Sequence, residues 1–178
     1  MPPTLASLPL AAMASEVDSE QVISATFNVQ LAVGAGMLVL CVLVHGIGLF
    51  TLSRVLGSDI EQRFQDVQPL SFRGTGFTLI VVASIILIHF IEVWLFAFLY
   101  DYLRALPTFQ DALYFSTISY STIGYNDASI AEDWRMIAAL EGMLGVILLG
   151  WSTAFLVRVL GKLESDNRAR SSPPSSDR

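Results

Sequence analysis

Four ionisable side chains, His45, His89, Glu92 and Glu141, lie inside long apolar runs. Such groups are costly at membrane depth and are functional candidates wherever they occur there. His89 and Glu92 are three residues apart and share a helical face. Glu141 lies in the outer half of the last apolar run, close in depth to Glu92. Three chemistries suit the set. A protonated carboxyl bonded to histidine or backbone would brace neighbouring helices. His-x-x-Glu with a further Glu would supply three metal ligands, and with them a membrane metal-binding enzyme using His89, Glu92 and Glu141. A proton-sensing gate is the third. Elsewhere, Ser121-Thr122-Ile123-Gly124-Tyr125-Asn126-Asp127 is a polar, glycine-containing stretch that cannot continue as a stable helix.

The elements that position these groups follow from composition. The chain has 178 residues, of which 53% are hydrophobic and 15% charged. That balance belongs to membrane proteins rather than to a soluble domain of this size. A net charge of −6 excludes the basic face that a nucleic-acid partner requires. With Cys41 as the single cysteine, neither an intrachain disulfide nor a paired-cysteine zinc site can form.

Three apolar segments, 29–52, 77–100 and 136–160, each have about 24 residues, roughly 36 Å of helix, which spans a bilayer with some tilt. Residues 1–28 contain no Lys or Arg and read as a weakly ordered extracytoplasmic tail rather than a secretory signal. Residues 53–76 read as a charged solvent loop with a short surface helix, and 161–178 as a disordered tail rich in Ser and Pro. Residues 77–160 form one unit. Within it, Pro107-Thr108-Phe109-Gln110-Asp111 marks a helix start, with Thr108 as cap and Asp111 in a variant capping box. The helix that follows, about a dozen residues, is too short to cross. A half-length helix followed by irregular backbone is tolerated at membrane depth only where it is buried in protein or lines a water-filled path. This is the pattern of a re-entrant loop.

Charge placement tests that topology. A re-entrant loop puts Arg54, Arg63, Arg73, Arg158, Lys162, Arg168 and Arg170 on one side, against Arg104 and Arg135 on the other. The positive-inside rule then assigns the C-terminus to the cytoplasm and the N-terminus to the outside. Glu16, Asp18, Glu20, Asp101, Asp111, Asp127, Glu132 and Asp133 fall on the outer side. Gathered at a mouth they would concentrate cations; scattered, they are ordinary solvated charges. Trp94, Tyr100, Tyr102 and Trp134 suit an outer aromatic belt.

Residues 112–127, Ala-Leu-Tyr-Phe-Ser-Thr-Ile-Ser-Tyr-Ser-Thr-Ile-Gly-Tyr-Asn-Asp, resemble the pore helix and selectivity filter of the potassium channel superfamily. There the usual pattern is Thr-[Val/Ile]-Gly-Tyr-Gly-Asp. The resemblance runs over about residues 77–160 and extends to small bacterial ion-channel proteins with one additional N-terminal span. It implies an all-α membrane protein: three transmembrane helices plus a re-entrant pore helix and filter loop, closed as a homotetramer in a bacterial inner membrane.

It also implies function. Backbone carbonyls of Thr122, Ile123, Gly124 and Tyr125 from four subunits would replace the hydration shell of a potassium ion, with the Thr122 hydroxyl at the inner end. No cofactor beyond the permeant ion and no enzymatic activity are expected. Asn126 replaces the family's second glycine, a change that leaves strict selectivity and relaxed cation selectivity both open. Asp127 would sit behind the filter with Tyr114 as its hydrogen-bond partner, because the position of the family's second partner holds Ile118. Gly145 matches the hinge of the family's inner helix, although small residues also serve close packing. A non-conducting accessory subunit is the alternative function.

Overall fold

The computed structural model describes residues 10–63, 72–123 and 130–171, with side-chain surroundings for 27–56, 75–123 and 130–162. Among the described residues there are four α-helices: α1, Leu10–Arg63; α2, Phe72–Tyr102; α3, Phe109–Tyr120; and α4, Arg135–Ser171, preceded by a 3-10 turn at Glu132–Trp134. Three stretches are long and apolar enough to cross a membrane, namely Phe27–Leu56 in α1, Thr75–Tyr102 in α2 and Glu132–Lys162 in α4. The chain is an all-α integral membrane protein.

Two terminal expectations need revision. Helix α1 begins at Leu10, inside the segment expected to be weakly ordered. Leu10-Ala11-Ala12-Met13-Ala14 are strong helix formers, so the span is free to extend through them. At the other end α4 runs to Ser171, well into the tail expected to be disordered. Its Lys, Leu, Glu and Arg residues favour helix.

The 12-residue α3 packs between α2 and α4, while α1 lies against α4 and α2. Their shared apolar core contains Met37 and Cys41 from α1, Phe96 and Tyr100 from α2, Phe115 from α3, and Ile137 and Leu148 from α4. A second cluster joins Leu49 and Leu56 to Phe77, Val81, Ile85 and Ile88. The start of α3 is held by aromatic contacts, with Phe109 5.2 Å from Phe98 and 5.8 Å from Trp94 between ring centroids.

Helix ends explain why α3 stays short. Thr108 has extended backbone, φ −135° and ψ 158°, and its Oγ1 accepts a 3.1 Å bond from the Asp111 N–H. The Thr108 hydroxyl donates in turn to Asp111 Oδ2 at 2.7 Å. At the other end, the N–H groups of Thr122 and Ile123 return to the carbonyls of Ser119 and Ile118, both at 3.1 Å. This is a Schellman ending, with Thr122 in the left-handed region at φ 57°. Glycine normally fills that position, and a β-branched residue there is strained. Helix α2 ends in the same way around Arg104, φ 53°, with Ala105 N–H bonded to Tyr100 O at 2.9 Å.

Candidate functional site

Two buried carboxyls hold α3 in place. The first is Glu92 on α2. His45 of α1 contacts its Oε1 through Nδ1 at 2.9 Å, and His89 contacts Oε2 through Nδ1 at 3.2 Å. The Tyr120 hydroxyl, at the last residue of α3, donates to the same Oε2. It also lies 2.8 Å from His89 Nδ1. On the far side of both imidazoles stands Ser152 of α4, its Oγ 3.0 Å from His89 Nε2 and 3.2 Å from His45 Nε2. Glu92, His45, Ser152 and His89 thus form a closed polar ring, with Tyr120 tying it to α3. His45 and Glu92 are both 0% exposed.

Glu141 on α4 is the second carboxyl. Tyr100 of α2 donates to its Oε2 at 2.6 Å, and the Ser116 hydroxyl of α3 contacts its Oε1. Ser116 Oγ also lies 2.9 Å from the carbonyl of Val93. Tyr100 is therefore fully buried, with its ring set edge-on to Phe115, and takes no part in an outer aromatic belt. Glu141 is also separate from the Glu92 ring, so the three-ligand set of His89, Glu92 and Glu141 does not assemble. His45 takes the third place: donor atoms of His45, His89 and Glu92 lie within 4.8 Å of one another.

Tyr120, Ser152, Tyr100 and Ser116 are the partners that the sequence reading missed. Their signal was present as spacing. Glu141, Gly145, Leu148 and Ser152 fall at i, i+4, i+7 and i+11 on one stripe of α4, and Ser116 and Tyr120 share a face of α3.

Gly145 sits where α4 crosses the end of α3. A β-carbon built there would stand 2.1 Å from the carbonyl oxygen of Tyr120, a separation no side chain can occupy. The glycine is required for this close approach of the two backbones. Beyond it, Thr122 and Ile123 are exposed, and among the described residues their carbonyl oxygens accept no hydrogen bond. Gly124, Tyr125, Asn126 and Asp127 lie outside the described residues. Tyr114 points away from this chain's other helices and is 69% exposed.

Residues 84–162, which contain α3, both buried carboxyls Glu92 and Glu141, and Gly145, match the family described as ion channel. Over these 79 of its 178 residues the chain is similar to ion channels. No curated protein and no solved structure matches the chain. Helix α1, with His45, lies outside the matched segment.

Proposed function

We propose that the protein is a potassium-conducting channel, assembled as a tetramer around an axis lined by the backbone carbonyls of Thr122, Ile123, Gly124 and Tyr125. Support comes from one observation above the others. The short helix α3 ends at Tyr120, and the turn after it uses the N–H groups of Thr122 and Ile123, while among the described residues nothing donates to their carbonyl oxygens. Oxygens of that kind are what a dehydrated cation needs. In this reading α3 is the pore helix, and its negative C-terminal end favours a cation beyond it.

A single loop cannot enclose a pathway, so a closed ring of identical subunits is required. The exposed side of α4, with Met143, Val146 and Ile147, offers apolar surface for the neighbouring copies. In this reading Tyr114, which is exposed, is the hydrogen-bond partner of Asp127. Glu92 and Glu141 act as braces that hold the pore helix against α2 and α4. The orientation puts the loop outside and the C-terminus in the cytoplasm of a bacterial inner membrane.

Planar-bilayer recording of the purified protein tests the reading. Unitary potassium currents that a pore blocker abolishes are expected. A protein that reconstitutes as a tetramer yet passes no current would make it an accessory subunit instead.

A further inference from the structure

Three potential ligand groups converge in the Glu92 ring, with Nδ1 of His45 2.9 Å from Glu92 Oε1 and Nδ1 of His89 3.2 Å from Oε2. With both ring hydrogens on Nε2, the Ser152 oxygen can accept two bonds and both Nδ1 lone pairs face the carboxylate. A cation between them would then be bound by all three groups.

We propose that His45, His89 and Glu92 bind a divalent transition metal of the zinc class. Two imidazole nitrogens and a carboxylate are the donor set that zinc and its first-row neighbours take, whereas magnesium and calcium prefer oxygen alone. Ligands of a tetrahedral zinc at about 2.1 Å stand about 3.4 Å apart, so the 2.9 and 3.2 Å separations need only a small expansion. Ser152 supplies the outer contact that metal-binding histidines ordinarily have on their second nitrogen, here for both rings at once. Tyr120 stands beside the site and donates to Glu92. The ion would join α1 to α2 through its ligands, and α4 and the last residue of α3 through Ser152 and Tyr120. It would therefore fix the helix that precedes the proposed filter. The site itself does not depend on whether the protein conducts potassium.

The sequence makes the test clean, because the chain has two histidines and both are in the site. Untagged full-length protein in detergent would be stripped with a chelator and then dialysed against zinc or cobalt alone. About one zinc per chain is expected, with cobalt giving the intense visible bands of a four- or five-coordinate nitrogen–oxygen site. His45→Gln and Glu92→Gln should each weaken zinc binding more than tenfold, whereas Glu141→Gln, in the neighbouring cluster, should retain it. Zinc uptake by wild type no tighter than by His45→Gln would overturn the site. So would equal loss in Glu141→Gln. If the ring variants fail to fold, the wild-type cobalt spectrum decides, and a weak, hexaaqua-like absorption would reject the proposal.

Discussion

At Gly145 a single hydrogen atom separates close packing from collision. Its missing β-carbon would fall 2.1 Å from the Tyr120 carbonyl, which is backbone and cannot rotate away. Gly145→Ala is therefore expected to cost about 1–3 kcal/mol through overpacking and to displace the end of α3. Gly150→Ala, with nothing within 4 Å of its added carbon, is the matched control and should leave the melting temperature in detergent unchanged. Equal melting of the two variants would contradict the close approach. Ser119 makes the opposite case. Its Oγ is buried and has no hydrogen-bond partner among the described residues. Removing an unsatisfied hydroxyl relieves a desolvation cost of about 1–3 kcal/mol, so Ser119→Ala should raise the melting temperature. A fall would mean that a neighbouring subunit supplies the partner.

The helices show what the sequence makes legible and where it stops. Spans and the capped start of α3 follow from local rules, since length, apolar composition and the Thr108–Asp111 pair are all contiguous. Thr108→Ala should cost about 1 kcal/mol, read as a lower unfolding midpoint. Arg104→Gly should stabilise α2 by roughly 1 kcal/mol, because glycine holds φ 53° without strain. The partners of the buried carboxyls were harder to read. In soluble helices the buried stripe is the apolar one, but a span is apolar on all sides, so hydropathy does not separate core from lipid face. Exposed Val39, Leu43 and Ile47 of α1 look the same in sequence as buried Met37 and Cys41. Only the polar groups mark the inner side, and pairing His45 with Glu92 requires knowing how α1 crosses α2. Depth alone suggested Glu141 as the partner of Glu92. Helix rotation instead gives Glu141 to Tyr100 and Ser116.

Across the whole molecule, α1 packs against α2 and α4 of the segment that is similar to ion channels. Through His45, α1 touches the carboxyl that holds Tyr120, two residues before the proposed filter begins. The first helix is thus built into the support of α3. The proposed filter carries Asn126 where relatives of this type have glycine, and that substitution bears directly on whether dehydrated potassium is preferred over sodium. The bi-ionic reversal potential of the purified protein, with potassium on one side of a planar bilayer and sodium on the other, addresses this choice. Four carbonyl rings from Thr122 to Tyr125 should drive the reversal far from zero in the direction of potassium permeation. A reversal potential near zero would contradict the potassium-selective pathway and leave a general cation pore.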